Sequence, residues 1–339
     1  MQHFVVVGIL VILTTVLTYL GLDVAGLAKH QHPVSASLQS ISIDQLWNWE
    51  MMVISFLFSL IIVPMLYSLI VFRQKKGELE DGEHMEGNAT LEVVWTVVPI
   101  FLVVIFAYLG GKSLGDVRRV DPQAVTIFVK AQQFTWTFEY PEYGIISSEL
   151  HIPVNKQVVL KMTSADVIHS FWVPEFRIKQ DVVPGRYTEY RVTPILVGDY
   201  KVRCAELCGT SHSYMENAVI VDTQEDYDTW IAEQVEIAKL ASLTPEGQGQ
   251  LLVARNGCTG CHSLNGTRLT GPTWLNIYGR EEEMNDGSKI VIDDAYIAES
   301  ILDPNAHIVA TYASPSQMPA FVFTDEEIAN IIAYLKTLK

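Results

Sequence analysis

Cysteine is scarce in this sequence, at only 4 of 339 residues. The cysteines fall in two pairs, Cys204 with Cys208 and Cys258 with Cys261. A disulfide-rich secreted scaffold carries many more cysteines over such a length, so that class of protein is excluded. Paired cysteines at short spacing are typical of metal and cofactor sites, and the two pairs are the first candidates for chemistry.

Basic residues are also few. The chain holds 23 Lys and Arg against 39 Asp and Glu, for a formal net charge of −16. Nucleic-acid binders need clustered Lys and Arg to neutralise phosphates, and the only basic run here is Arg73, Lys75 and Lys76. Nucleic acid is therefore excluded as a partner. The apolar content of 49 % excludes a disordered chain, and the length favours more than one domain.

Long apolar runs are absent beyond about residue 112, but three precede it: Phe4 to Leu22, Met51 to Phe72, and Val93 to Gly110. None contains a charged residue, and each approaches the roughly 20 residues that cross a bilayer. They predict a multi-pass membrane segment. For the first run the alternative is a signal peptide cleaved near residues 34–36, but we expect this run to be retained.

The loop between the second and third runs opens with Arg-Gln-Lys-Lys at residues 73–76. The positive-inside rule places this loop in the cytoplasm, so everything after Gly110 is expected outside, on the far side of the membrane. Pro64 and Pro99 lie within their runs, where a neighbouring helix usually satisfies the backbone groups that a proline frees. A larger membrane partner is therefore expected, with a bare anchor as the alternative.

From Ala124 to about Asp222 the pattern changes to short β-branched and aromatic segments. These segments predict the strands of an antiparallel sandwich or barrel. The predicted strands begin at Val125, Phe134, Gln157 and Tyr187, with turns at Pro141, Pro184-Gly185 and Gly198-Asp199.

The first cysteine pair lies in a segment rich in metal donors. Cys204, Cys208, His212 and Met215 fall within twelve residues. Thiolates, imidazole and thioether together suit copper, whereas zinc does not ordinarily recruit a methionine. His169, between two strand-like segments, is the candidate for a second imidazole. The alternative is a Cys204–Cys208 disulfide, with both histidines and the methionine in ordinary structural roles.

The second pair belongs to the pattern Cys258-Thr-Gly-Cys261-His262. In C-x-x-C-H, two thiols form thioether bonds to a haem and the histidine takes an axial position on the iron. The alternative is a thioredoxin-like dithiol, but no βαβ pattern surrounds it and a histidine follows it directly.

A haem of this type needs a sixth ligand, which we assign to Met318 in the loop before a predicted closing helix, Thr324 to Leu338. Met284 competes, but it follows the charged stretch Glu281 to Glu283. Histidine and methionine together favour a relatively high reduction potential. Upstream, an acidic helix-like stretch from Glu225 to Ala241 leads to Thr244-Pro245, an N-cap followed by proline, where this last domain is expected to begin.

Residues 50 to 222 resemble subunit II of a haem-copper cytochrome c oxidase. The resemblance is carried by the stretches His169 to Arg186 and Cys204 to Met215. It implies a cupredoxin-like domain with a dinuclear copper centre. In that centre the two cysteines bridge two copper ions, His169 and His212 each bind one, Met215 is a weak ligand, and the backbone carbonyl of Glu206 is another.

The same resemblance implies further roles. The Glu206 side chain would face a magnesium or manganese ion at the boundary with subunit I. Glu92 matches a carboxylate near the mouth of a proton channel, with an ordinary helix-end glutamate as the alternative. Phe134 stands where the family usually carries a tryptophan that receives electrons from a soluble cytochrome c, so the usual docking route is in doubt here.

Residues 244 to 339 resemble a class I cytochrome c, including Gly271-Pro272 in the loop beside the axial histidine. The fold class expected for the whole chain is a multi-domain membrane protein with N-terminal transmembrane helices, a cupredoxin-like β-sandwich and an all-α cytochrome c domain. The expected divisions are an apolar helix and external loop at 1–49, a transmembrane hairpin at 50–112, the copper domain at 113–222, a linker helix at 223–243 and the cytochrome domain at 244–339.

These features predict an electron-input subunit of a proton-translocating cytochrome c oxidase, with the oxygen chemistry on subunit I and no catalytic acid-base group on this chain. The partners expected are subunit I, other membrane subunits and an electron donor, which is a small cytochrome, a copper protein or an upstream respiratory complex. The alternatives are the same role in a dinuclear-copper nitric oxide reductase, and a membrane-anchored electron shuttle or copper-delivery protein.

Overall fold

The computed structural model describes residues 2–24, 32–74, 76–77, 84, 86–312 and 314–339. Lys75 of the predicted cytoplasmic run lies outside these residues, as does part of the predicted external loop before residue 49. The chain divides into two compact units. The first is Met1–Arg119 with Glu175–Arg177, and the second is Val120–Pro174 with Ile178–Lys339.

The first unit is built on three helices, α1 (Gln2–Val24), α2 (Leu38–Val71) and α3 (Ala89–Val117). All three are long and apolar enough to cross a membrane, judged by length and composition. The three predicted transmembrane helices are thereby confirmed as helices. Two hydrogen-bonded pairs join them: His3 Nδ1 lies 2.7 Å from the Tyr67 hydroxyl, and Ser42 Oγ lies 3.0 Å from Ser113 Oγ.

Helix α2 begins well before the apolar run that predicts it. Ser37 caps its first turn, accepting from the Ser40 backbone N–H, while the Ser40 hydroxyl accepts from the Ser37 N–H. This capping box starts the helix in a polar segment. The apolar run from Met51 thus marks the part of the helix suited to lipid, which is shorter than the helix itself.

The N-terminal part of the second unit is a β-sandwich of two five-stranded sheets. One sheet has the order β3-β2-β1-β5-β8 and the other β4-β10-β9-β6-β7. The strands are β1 (Val125–Gln132), β2 (Thr135–Tyr140), β3 (Ile145–Ser147), β4 (Leu150–Pro153), β5 (Val158–Ser164), β6 (His169–Val173), β7 (Ile178–Val182), β8 (Thr188–Val192), β9 (Gly198–Cys204) and β10 (Glu216–Asp222).

The sandwich forms because these strands alternate inward apolar residues with outward polar ones. Ile127, Val129 and Ala131 of β1 are buried and alternate with less buried neighbours. The four predicted strands are present as β1, β2, β5 and β8. The predicted turn at Gly198-Asp199 is wrong, since both residues pair with β10 as the start of β9. Cross-strand hydrogen bonds there outweigh the local turn preference of a Gly-Asp pair.

The C-terminal part of the second unit is mostly helical. It holds α4 (Gln224–Ala241), α5 (Pro245–Arg255), α6 (Asp294–Leu302) and α7 (Asp325–Thr337), with a short hairpin of β11 (Glu281–Glu283) and β12 (Lys289–Val291). Thr244 caps α5 by accepting from the Gly247 N–H, and Pro245 is the first helical residue, as predicted. Thr324 caps α7 in the same way with a full capping box.

Helix α4 buries Tyr227 and Ile231 and packs Trp230 against the sandwich. The Trp230 ring stacks on the His151 imidazole, with ring centroids 4.1 Å apart and planes 14° from parallel. His151 Nδ1 in turn lies 2.8 Å from the Asp222 carboxylate at the end of β10. Because Asp222 precedes α4 by one turn residue, the stack fixes the direction in which the helix leaves the sheet.

The helices α5 and α7 cross at a glycine. A Cβ placed on Gly249 would lie 1.9 Å from the Asn330 carbonyl oxygen, so only glycine permits this close approach. Beside the crossing, Asn330 Nδ2 donates to Gln248 Oε1 at 2.8 Å. The crossing brings Val253 of α5 together with Ile331 and Leu335 of α7 in one buried core.

We predict that Gly249→Ala destabilises the C-terminal helices by about 2 kcal/mol, because the added methyl overlaps backbone and cannot be relieved by a side-chain rotation. Scanning calorimetry of the purified protein measures the effect as a lower melting temperature for this part of the chain. Gln250→Ala, at the next and exposed position, is the control. A more stable Gly249→Ala variant, as helix propensity alone favours, would contradict the prediction.

Candidate metal centre and haem site

The first cysteine pair lies at one end of the β4-β10-β9-β6-β7 sheet. Strand β9 ends at Cys204, and its neighbour β6 begins at His169, with Phe171 paired to Cys204. The loop after β9 folds back on itself, since the Cys204 N–H donates to the Met215 carbonyl at 3.1 Å. Strand pairing and loop closure therefore bring residues separated by 35 positions into contact.

Sulfur and nitrogen donors surround a small volume in this loop. The two sulfurs lie 3.9 Å apart, about twice the length of a disulfide bond, and both cysteines are free thiols. Cys204 Sγ lies 3.8 Å from His169 Nδ1, and Cys208 Sγ lies 3.5 Å from His212 Nδ1. The donor atoms of His169, Cys204 and Cys208 all lie within 4.8 Å of one another.

Two weaker donors complete the cluster. Met215 is 1 % exposed, with its Sδ 3.8 Å from Cys208 Sγ. The carbonyl oxygen of Glu206 lies 3.2 Å from Cys204 Sγ, while the Glu206 side chain is exposed. All six residues that the sequence suggests for metal binding are thus in one place: His169, Cys204, Glu206, Cys208, His212 and Met215.

Asp166 orients the buried imidazole of His169. Its Oδ1 lies 2.8 Å from His169 Nε2, which leaves Nδ1 directed at Cys204. Burial disfavours the imidazolium, but the hydrogen bonds that the ring makes to Asp166 and Cys204 outweigh it and raise the pKa of His169 to about 9. A metal-ligating histidine normally has such an acceptor on its other nitrogen, because it fixes the ring and its tautomer.

The two thiols have different acidities. Burial raises the pKa of Cys204, but hydrogen bonds from His169 and the surrounding backbone exceed that effect and lower it. Burial and the neighbouring Cys204 charge both raise the pKa of Cys208. Two adjacent thiolates therefore repel each other unless a cation lies between them. A soft, sulfur-rich donor set of this kind fits copper.

The second cysteine pair lies at a cavity in the C-terminal helical region. Cys258, Cys261, His262 and Met318 all line it, together with apolar residues such as Ile301 and Phe321. The pair therefore lies beside the predicted axial histidine and methionine at a largely apolar pocket. Such a cavity suits a large planar apolar cofactor with metal ligands at opposite sides.

His262 is held in the form that binds iron. Its Nδ1 lies 2.8 Å from the Pro272 carbonyl, so this nitrogen carries the proton and donates, leaving Nε2 with a free lone pair. Burial lowers the pKa of His262 and so keeps the ring neutral. The ring stacks on Trp274 at 4.7 Å, and a Cβ on Gly271 would lie 2.6 Å from its Cε1. The residues present therefore fit a histidine-ligated haem.

The two methionine candidates lie in different places. Met318 lines the cavity, whereas Met284 is 1 % exposed and belongs to the core cluster with Ile277 and Val309. The strand β11 before Met284 is charged and largely exposed, yet Met284 itself turns inward. The placement of both side chains favours Met318 as the sixth ligand.

Glu92 belongs to the first unit. It lies in the first turn of α3 and is exposed, and Asn88 caps that helix by accepting from the Leu91 N–H at 3.0 Å. A carboxylate in the first helical turn is stabilised by the helix dipole. This placement accords with an ordinary helix-end glutamate as well as with a role at a proton entrance.

Sequence reasoning missed two residues that support the sites. Asp166 precedes His169 by three positions, a spacing that lets a carboxylate reach the ring, and that spacing was the available signal. Trp274 stacks on His262 from beyond the Gly271-Pro272 loop, and nothing in the local sequence marks it. Both act on a ligand rather than on the metal.

Three family models match the chain. Residues 25–110 match the transmembrane domain of cytochrome c oxidase subunit II, residues 145–223 match its periplasmic domain, and residues 247–339 match cytochrome c. The three matches follow the order of helices, sandwich and helical region along the chain.

Curated relatives agree with these matches. The cytochrome c oxidase subunit 2 of Alkalihalophilus pseudofirmus is 32 % identical over 86 % of this chain and 87 % of that protein. The subunit 2 of a Synechocystis species is 34 % identical over 59 % of this chain and 74 % of that protein. Among solved structures, the periplasmic domain of cytochrome oxidase subunit II of Bradyrhizobium japonicum is 29 % identical, covering 35 % of this chain and 97 % of that one, with a TM-score of 0.32.

We predict that Met318→Leu keeps the covalently attached haem but loses the long-wavelength absorption of a methionine-ligated ferric haem and lowers its reduction potential. Met284→Leu is the matched control, because the same substitution in the core conserves volume and costs less than about 1.5 kcal/mol. Optical spectra with redox titration measure both variants. A spectrum changed by Met284→Leu and unaffected by Met318→Leu would reverse the assignment.

Proposed function

The chain belongs to the cytochrome c oxidase subunit II family and ends in a cytochrome c domain, and from this premise we propose that it passes electrons through both of its own redox sites to subunit I. As a subunit of a haem-copper oxidase it is part of an oxidoreductase. It is a membrane protein with an external domain, and its two external sites imply copper and haem.

We infer that the copper site holds two metal ions. Cys204 and Cys208 would each contact both, with one imidazole on each side from His169 and His212. Met215 and the Glu206 carbonyl would be weaker ligands. Two shared thiolates spread one electron over both metals, so little geometry changes when the electron arrives. The contacts of 3.2 to 3.9 Å between these donor groups support the assignment.

The haem would be attached through Cys258 and Cys261, with His262 and Met318 as its axial ligands. Each bound group supplies one-electron oxidation and reduction. The protein keeps the His262 imidazole neutral by burying it, orients the ring through the Pro272 carbonyl and supplies the apolar walls of the cavity. Excluding water from a haem in this way is one means by which a protein sets its potential.

The proposed route begins at an external donor, which is a small cytochrome, a copper protein or an upstream respiratory complex. It continues through the covalent haem to the paired copper and then to the haem of subunit I, where oxygen reduction is coupled to proton translocation. A tethered cytochrome replaces the soluble one, which accounts for Phe134 at the position of the usual tryptophan. The proposed location is a bacterial cell membrane with both sites on the periplasmic side.

Two further assignments complete the proposal. The exposed Glu206 side chain would bind magnesium at the boundary with subunit I, and Glu92 would lie near a proton entrance. We also propose the domain divisions predicted from the sequence, with the copper domain at 113–222 and the cytochrome domain at 244–339. The matched relatives are named as oxidases, so the nitric oxide reductase alternative receives no support.

The observation that carries the proposal is the convergence of two complete donor sets in one chain: thiols, imidazoles and thioether at the sheet end, and C-x-x-C-H with a second methionine at the cavity. Metal and haem analysis of the intact complex, with electron paramagnetic resonance, tests it. Two coppers that share one unpaired electron give a many-line hyperfine pattern. A single copper, or cystines without porphyrin, would contradict the proposal.

We predict that Met215→Leu leaves the haem reducible by the donor but lowers oxygen consumption about tenfold or more, because the potential and geometry of the paired copper change. Met162→Leu makes the same substitution at a fully buried position in the sandwich core and is the control. Stopped-flow spectroscopy and an oxygen electrode measure the two steps. Normal oxygen consumption in Met215→Leu with normal copper content would count against the route.

A further inference from the structure

The hairpin between β1 and β2 lies directly against the C-x-x-C-H turn. A Cβ on Gly260 would lie 2.4 Å from Thr135 Cβ, and one on Gly257 would lie 2.7 Å from Thr135 Cγ2. Side chains at these two positions would collide with Thr135, so both glycines permit the backbone of the turn to approach that side chain closely. The strand end that borders the copper loop thus also contacts the segment that would carry the haem.

Neutral polar side chains surround this contact. The Gln132 side-chain amide donates to the Asn256 carbonyl, Thr210 Oγ1 donates to Gln317 Oε1 at 2.8 Å, and Ser211 Oγ lies 2.9 Å from Thr270 Oγ1. Asn256, Thr270 and Gln317 all line the haem cavity. The hairpin and the copper loop therefore hold the cavity rim at three points, none of which is an ion pair.

One residue of the hairpin connects the two sites. The Gln133 side-chain amide donates to the Cys208 carbonyl, and the Gln133 carbonyl oxygen lies 3.9 Å from Cys261 Sγ. Its backbone N–H donates to Asp166 Oδ2 at 2.7 Å, while the other oxygen of that carboxylate holds His169. Gln133 thus touches a copper-loop cysteine, the carboxylate behind a histidine ligand and a haem-attachment cysteine.

We propose that Gln133 is a positioning residue that locks the C-x-x-C-H turn onto the copper loop, so that electrons cross between the two sites in one fixed arrangement. The proposal rests on the proposed function, because it needs haem at the second cysteine pair and copper at the first. Thioether formation removes the Cys261 S–H but keeps the sulfur in van der Waals contact with the Gln133 carbonyl. Preorganisation replaces the docking search that a soluble cytochrome makes.

The contacts between the copper loop, the hairpin and the cavity rim are uncharged, and this predicts how electron transfer responds to salt. Docking through complementary charge weakens as salt screens it. The three contacts at the cavity rim are hydrogen bonds between neutral groups, so electron transfer within the chain is expected to stay constant as ionic strength rises. Delivery by a basic external donor to this acidic protein would still slow with salt.

The test uses Gln133→Met in the intact oxidase, since methionine keeps the length of the side chain but has no N–H to donate. Gln123→Met is the matched control, at an exposed position in the turn before β1. One measurement is the rate at which the haem is reoxidised by copper after pulse reduction. The other is amide hydrogen exchange of residues 257–263, which measures how firmly the turn is held and does not depend on enzyme turnover.

We predict that Gln133→Met slows haem reoxidation and speeds hydrogen exchange of the turn by about fivefold each, the factor expected for loss of one net hydrogen bond. Haem content and the copper resonance signal remain unchanged. Gly260→Ala gives the same two changes by a steric route, through its collision with Thr135. A rate of electron transfer from haem to copper that does not vary with ionic strength in the wild-type oxidase would also support the proposal.

Three results would overturn it. If Gln133→Met has the same haem reoxidation rate and the same hydrogen exchange of the turn as Gln123→Met, then Gln133 does not position the turn. Loss of the copper signal with unchanged exchange of the turn shows that Gln133 serves the copper loop alone. If electron transfer from haem to copper in the wild-type oxidase slows as ionic strength rises, the two sites are brought together by charge. By contrast, absence of haem or paired copper from the wild-type complex is a failure of the proposed function itself.

Discussion

The pairing of β6 with β9 is the constraint on which the copper site depends. It places His169 at the start of one strand beside Cys204 at the end of the other, and the loop that follows returns through the Cys204–Met215 backbone hydrogen bond. Without this register the donors of the Cys204 to Met215 segment would lack their second imidazole. A one-residue slip would also turn His169 to the opposite face of the sheet.

Electrostatics at the same place explain why the site favours a cation. The two sulfurs and the Nδ1 atom of the fully buried His169 face one small space, while Asp166 accepts from the opposite nitrogen of that ring. The unequal acidities of the two thiols show that both cannot carry charge easily by themselves. Metal binding and loss of both protons are therefore linked, as they are in other thiolate sites.

Local patterns predict the helices and strands better than the contacts between them. The apolar runs, the alternating strands and C-x-x-C-H each depend on neighbours in sequence, and each led to the correct kind of element. The start of α2 was missed because its first turns are polar, and Gly198-Asp199 was assigned to a turn because its partner strand is not visible in sequence. The roles of Gly249, Gly257 and Gly260 depend on distant residues, which no local pattern encodes.

The closeness of the β1–β2 hairpin to Gly257 and Gly260 constrains how the protein is assembled. With the turn seated, Cys261 faces the Gln133 carbonyl, so the hairpin covers this side of its sulfur. Under the proposed haem attachment, a porphyrin can reach that side only while the C-terminal helices are still apart from the sandwich. The close approach that Gly257 and Gly260 permit would therefore place packing of the helices after attachment.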